Sequence, residues 1–312
     1  MTNSKNIISH GDIDQDFSQA VDMLKRNILD NNDTTFASVD EQLQILEDLT
    51  KFEAGRFLIK NNGGFNGFWT HYMLQFPENS QITNKSSDGS ELTELESFIF
   101  SKGVITLATQ QRYRIFLEEN NKCVRENAEL ACIPGGLLGE LLYLDFSKIK
   151  NIALYGIDLD EESLKYSIRL AEKMNLAQFT HTMHCDAWEL PCKDKFDLVS
   201  SNGLNIYESD KARVSALYQA FYNSLKPNGK LVTSYIAYPP GSGELCEWDM
   251  SKIDCEALKR GMAIFTSVLG SIWQNFSTRS EMETMLNDIG YKDIKFIYDK
   301  AKIFPTVVAY KR

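Results

Sequence analysis

No two of the cysteines in this 312-residue sequence form a C-x-x-C pair, and no stretch reaches the roughly 18 uninterrupted apolar residues of a spanning helix. Of the six cysteines present, Cys123, Cys132, Cys185, Cys192, Cys246 and Cys255, several stand in or beside apolar runs. That placement suits reduced thiols and predicts no disulfide. The opening "MTNSKNIISHGDIDQDF" lacks a basic region followed by a long apolar segment, so a soluble, unsecreted, cytoplasmic protein is expected. Positive charge is also short: 33 Lys and Arg face 43 Asp and Glu, a formal charge of −10. The mean field repels nucleic acid and anionic membrane, so neither is an expected partner.

What is present begins with helix. Residues 1–60 carry Leu43, Leu46, Leu49 and Phe57 near one face, with few glycines or prolines between them. "NNGGFNGFWTHYMLQFP" (61–77) then mixes glycines with Phe65, Phe68, Trp69 and Tyr72, "ENSQITNKSSDGS" (78–90) reads as a polar loop, and 91–120 returns to helix. From 127 onward strand-like and helical runs alternate, which implies a doubly wound, mostly parallel α/β sheet. Asn228 and Gly229 are expected to stop the helix that includes Val214, Leu217, Phe221 and Leu225. A helical segment over about 252–275 interrupts the pattern, then "TRSE" (278–281) has capping-box spacing and opens a helix that Gly290 stops. "DIKFIYD" and "KIFPTVVAY" are close enough to pair as a hairpin, giving an antiparallel last strand. The division expected is a helical N-terminal cap or lid over 1–103 and a Rossmann-like domain over 104–312.

The chemistry centres on "NAELACIPGGLLGELL" (127–142), a glycine loop after the first strand that brings little charge to whatever it binds. In such sheets a ligand lies beyond the carboxyl ends of the strands, and the loop Pro134, Gly135 and Gly136 lets it approach the backbone. Asp158 follows Gly136 by 22 residues, at the end of the second strand, an interval at which an acid can take both hydroxyls of a ribose. Asp186, at the end of the third strand, could accept from an adenine amino group while a neighbouring N–H meets the ring. Two acids on successive strand ends describe an adenosine.

Over roughly 104–237, and more loosely 277–310, the chain resembles the class I S-adenosylmethionine-dependent methyltransferases. "YGIDLDEESLKYS", "CDAWELP", "FDLVSSNGLNIY" and "LKPNGKLV" look like the family's segments in order and spacing. The resemblance implies S-adenosyl-L-methionine as cofactor, leaving as S-adenosyl-L-homocysteine. It implies that Gly136 allows close approach of the methionine part, Asp158 holds the ribose and Leu159 packs on the adenine. Asp186 and Ala187 would read the adenine edge, and Asn202 would help close the site. Arg112, in the helix before the first strand, is the candidate for the cofactor carboxylate. A sulfonium cofactor has no phosphates, which accounts for a loop without lysines. Two departures stand out: the usual acid of the first motif falls on Cys132, leaving the contact to the cofactor's amino group unassigned, and Pro134 replaces the first glycine.

Pro134, Gly136 and Gly139 also occupy the places of an altered G-x-G-x-x-G, so an NAD(P)-dependent oxidoreductase is one alternative and a non-catalytic adenosine-ligand-binding protein of the same fold is another. Asp160, just before "EESL", fits a helix cap better than Asp158 does. His181, His184 and Cys185 invite a metal reading, but side chains three apart on a strand face opposite sides, so no metal is expected. "YPPG" (238–241) follows the fifth strand rather than the fourth, which counts against base methylation.

Methyl transfer needs an acceptor lone pair in line with the methyl–sulfur bond, so alignment and dehydration supply much of the catalysis. An oxygen or nitrogen acceptor can also require removal of its proton, and His71 and Tyr207 are the catalytic candidates. Phe68, Trp69 and Tyr72 are the candidate contacts for a small, partly apolar acceptor, although plain packing would explain the same rings.

Overall fold

The computed structural model describes residues 16–271 and 273–312, so the start of the expected N-terminal helical run lies outside the described residues. Two compact units share the chain: 111–250 with 273–312, and the described residues up to Gln110 with 251–271. The division falls within a helix, between Gln110 and Gln111, where the sequence suggests a boundary after 103.

The helical unit contains α1 (Phe17–Asn31), α2 (Val39–Leu49), α3 (Glu53–Lys60), α4 (Gly67–Gln75), α5 (Ser80–Thr83) and α6 (Glu94–Ser101), followed by the start of α7 (Val104–Asn121). Asp16 caps α1, Ser38 and Glu41 form a capping box on α2, and the Thr93 hydroxyl accepts from the Glu96 N–H at the start of α6. Helix α1 buries Ala20, Leu24 and Ile28, one residue per turn, and packs on α2 and α3. The polar stretch 78–90 is not wholly solvated, because Ser80 and Ser86 are buried and the Ser86 hydroxyl donates to Glu96 at 2.8 Å.

The other unit carries one seven-stranded sheet. Its elements are β1 (Glu129–Cys132), α8 (Gly139–Leu142), β2 (Ala153–Asp158), α9 (Glu161–Lys173), β3 (Thr180–His184), β4 (Phe196–Ser201), α10 (Lys211–Ser224) and β5 (Leu225–Ser234). Later come α11 (Cys255–Met262), which belongs to the helical unit, then α12 (Arg279–Ile289), β6 (Tyr291–Ile297) and β7 (Thr306–Lys311). The strand order is β3-β2-β1-β4-β5-β7-β6, parallel through β5, with β7 antiparallel to both of its neighbours. Strands β1 and β4 are almost wholly buried, as expected of strands covered on both faces. The order runs outward in both directions from the β1–β4 pair, so the loops after these two strands diverge and leave a crevice at their carboxyl ends.

Two expectations need correction. Helix α10 ends at Ser224 and β5 starts at Leu225, so Asn228 and Gly229 do not stop the helix. They form a kink inside β5, where the β4–β5 pairing shifts register; Asn228 has φ 62°, and a side chain on Gly229 would meet the Phe196 and Lys226 carbonyls at 3.0 and 2.8 Å. The helical segment expected over 252–275 is α11 followed by a π-helical stretch, Ala263–Val268, that packs on α1 and α2. The capping box of Thr278 and Glu281, the stop at Gly290 and the terminal hairpin stand as expected. Among the described residues no helix is long and apolar enough to cross a membrane.

Candidate active site

Strand β1 delivers the chain into the crevice, and the glycine loop turns at once. Gly135 donates to the Ile157 carbonyl at 2.7 Å, and an added Cβ there would lie 3.0 Å from the backbone of Gly156 and Ile157. Only glycine lets the loop lie directly on β2. Gly136 takes φ 48° and donates its N–H to Asp158 Oδ2 at 2.8 Å. From α7, the Tyr113 hydroxyl donates to the Gly139 carbonyl at 3.1 Å, and the Asn120 amide donates to the Glu140 carbonyl at 3.2 Å. The loop is thus held by β2 on one side and by α7 on the other.

Asp158 is half-buried. One carboxylate oxygen takes the Gly136 N–H and the other the Asp160 N–H at 3.0 Å, which fixes the carboxylate while leaving further lone pairs. Asp160, as expected, caps α9. Leu159 is 50% exposed, an apolar side chain beside the acid with room to cover a flat ring. Asp186 lies two residues beyond His184, the register partner of Asp158, and the Cys185 N–H donates to the Asp158 carbonyl at 3.1 Å. The two acids therefore stand on neighbouring strand tips. Asp186 Oδ1 accepts from the Trp188 N–H at 2.9 Å, and Ala187 is buried between them. His184 meets the Leu159 carbonyl at 3.0 Å, and His181 stacks on Tyr155.

On the other side of the loop lies a buried polar chamber. Arg112, from α7, donates to Ser234 Oγ at 3.3 Å and lies over the Phe304 ring at 4.4 Å, while its Nε has no partner. Burial brings its guanidinium down to about 10, with Glu140 the chief charge opposing that shift. A side chain on Gly203 would come 3.6 Å from the Arg112 guanidinium. Asn202 Oδ1 and both amide atoms of Asn205 are buried without a partner. Native interiors rarely leave such groups unmatched. Tyr207 follows in the short helix after β4, and burial raises its phenol.

Phe68, Trp69, His71 and Tyr72 fall in the helical unit. Trp69 is buried against Phe57, Phe68 and Tyr72, and the Tyr72 hydroxyl donates to Glu96 at 3.0 Å. Phe68 is 37% exposed. Burial lowers His71 to about 4, so its imidazole is neutral at physiological pH.

Three residues of the chamber went unread in the sequence: Glu140, Ser200 and Asn205. The only signal for Glu140 was a charge inside an apolar run. For Ser200, near the end of β4, and Asn205, in the short helix after it, there was none, since small polar residues are common at such places in any α/β protein.

A glycine loop on β2, two acids on adjacent strand tips and a buried polar chamber beyond the first strand define a nucleoside-binding enzyme of the doubly wound α/β class. Residues 129–289 match the family model described as methyltransferase domain, and the chain belongs to that family, the class I S-adenosylmethionine-dependent methyltransferases. S-adenosylmethionine is its cofactor, and the nicotinamide reading gives way. A protein of Bordetella parapertussis described as a possible exported protein is 34% identical, with 95% of each chain covered and a TM-score of 0.86. The magnesium protoporphyrin IX methyltransferase of Synechocystis, solved with bound S-adenosylhomocysteine, is 12% identical over 78% of this chain and 99% of its own, with a TM-score of 0.50, a likeness of fold. Comparison with curated proteins finds no match.

Proposed function

We propose that the enzyme transfers the methyl group of S-adenosylmethionine to an oxygen or nitrogen of a small, partly apolar acceptor. The cofactor supplies an electrophilic methyl on a cationic sulfur. Asp158 would hold the ribose, Leu159 the adenine face, Asp186 and Ala187 the adenine edge. The loop Pro134, Gly135 and Gly136 would lie along the sulfur-bearing chain, with Arg112 at the carboxylate and Asn202 closing the site. The fit rests on this chain's own geometry: a carboxylate fixed by two backbone N–H groups, an exposed leucine beside it and orphaned amides across the loop.

The observation that favours an apolar acceptor is a chain of rings in the same unit. Tyr238 stacks on Phe276 at 5.7 Å, Trp273 meets Phe276 at 6.4 Å and Phe304 at 6.3 Å, and Phe304 carries the Arg112 guanidinium. Aromatic walls with a few convergent polar groups suit a small organic molecule better than a nucleic acid.

Tyr207, whose phenol burial keeps protonated, suits orienting an acceptor by donating to it rather than removing its proton. His71 is neutral at physiological pH and is the candidate base. Full turnover in both His71→Ala and Tyr207→Phe would end these roles. In the helical unit, Phe68→Ala tests an acceptor contact by raising KM for the acceptor while leaving that for the cofactor unchanged. The class itself is tested by mass spectrometry of protein purified without added ligand, seeking S-adenosylmethionine or S-adenosylhomocysteine. A screen of labelled methyl transfer to hydroxyl- and amine-bearing small molecules then follows, and transfer only to nucleic acid or protein would overturn the acceptor assignment.

A further inference from the structure

The acid absent from Cys132 has a neighbour. Glu140, in the first turn of α8, is buried, and its carboxylate accepts from Ser200 Oγ at 2.5 Å and from Cys132 Sγ at 3.4 Å, with the Asn202 amide as a third donor. All three are neutral. Among the described residues no cation lies within 4.0 Å of this carboxylate, and no carboxylate lies within 4.0 Å of the Arg112 guanidinium. Each is nonetheless the other's strongest nearby opposite charge. Burial raises the Glu140 carboxyl and lowers the Arg112 guanidinium, so each keeps its charge at a cost that bonds to neutral groups offset only in part. That arrangement matches a ligand carrying both charges in reverse order, as the α-amino acid end of a molecule does.

We infer that Glu140 holds the ammonium of the cofactor's amino acid end while Arg112 takes its carboxylate, so that an acid from the loop helix does what position 132 cannot. This rests on the cofactor reading above. The same geometry explains the cysteine. An acid at 132 would stand against Glu140, and two carboxylates so close cannot both ionise. A small thiol in its place donates to Glu140 and leaves the charge on one residue.

A purely structural Glu140 would fasten α8 to β4 through Ser200, and glutamine could do that equally well. The charge therefore separates the two roles. Calorimetry of three probes measures it: S-adenosylhomocysteine, its deamino analogue that keeps the carboxylate, and 5′-methylthioadenosine, which has the nucleoside but no amino acid. The wild type should prefer S-adenosylhomocysteine to the deamino analogue by at least ~10-fold, as a buried charged hydrogen bond requires. Glu140→Gln should bring that ratio to about threefold or less, with methylthioadenosine binding unchanged. The double variant C132D/E140Q, which places the charge on the strand instead, should restore the ratio, and it decides the matter alone if E140Q does not fold. A wild type that fails to distinguish the two probes, an E140Q that still does, or a folded double variant that does not, overturns the role of Glu140. A wild type that binds neither S-adenosylhomocysteine nor methylthioadenosine overturns the cofactor site itself, and this inference with it.

Discussion

At the scale of a residue, Asp158 has a structural role and a proposed binding role that substitution can separate. Its carboxylate ties the glycine loop to β2 through the Gly136 N–H, and the role proposed for it is to accept from the ribose. Asp158→Ala removes both. A hydrogen bond to a charged group is worth about 1.5–3 kcal/mol, so binding of S-adenosylhomocysteine should weaken roughly 10- to 100-fold by calorimetry. Asp158→Asn keeps one carbonyl oxygen for Gly136 but loses the acceptor for the Asp160 N–H, so it should lower the melting temperature less than Asp158→Ala while still losing affinity. Unchanged affinity in both variants would count against the ribose role. The place of Asp158 at the end of β2, against the glycine loop, was legible because a fixed interval from such a loop carries meaning in this fold. Glu140 was not, because a single charge in an apolar run has no spacing to identify it, and only the folded loop brings it to Cys132 and Ser200.

At the scale of an element, two glycines predict opposite outcomes. Gly135 lies on β2 with its missing side chain aimed at strand backbone 3.0 Å away, which cannot give. Gly135→Ala should destabilise the sheet unit by about 1–3 kcal/mol in urea unfolding, and should weaken cofactor binding because the loop must lift. Gly261 sits inside α11 with nothing within 4 Å of an added Cβ. Gly261→Ala should stabilise that helix by up to about 1 kcal/mol, the propensity difference alone. Equal effects of the two would refute the contact argument. Helix ends were readable where side chains form the cap, as at Thr278 and Glu281. The end of α10 was not, because Ser224 passes directly into β5 with no glycine or proline to mark the change, and the glycine signal that follows belongs to a kink in the strand.

At the scale of the whole molecule, strand alternation conveyed the sheet and its crevice, because parallel strands covered on both faces must read as apolar runs separated by helices. The membership of 251–271 in the helical unit was beyond the sequence, since nothing local says which of two cores an amphipathic segment joins. The same unit carries a titration that opposes the charge balance of the chain. With a formal charge of −10 and a pI near 5.0, acidification from neutrality relieves self-repulsion and favours the folded state. His71 works the other way. Its pKa falls from 6.5 to about 4 on burial, so between these values the unfolded chain binds a proton that the folded chain refuses. The stability it contributes is present above 6.5 and is lost as pH falls towards 4. Between neutrality and pH ~5 the loss comes to about 2 kcal/mol for one proton shifted this far. His71→Gln keeps a polar side chain of similar size that does not titrate. Urea unfolding of the two proteins at neutral and mildly acid pH should therefore diverge, the wild type weakening relative to the variant on acidification, and parallel pH profiles would show that His71 is not buried as a neutral imidazole.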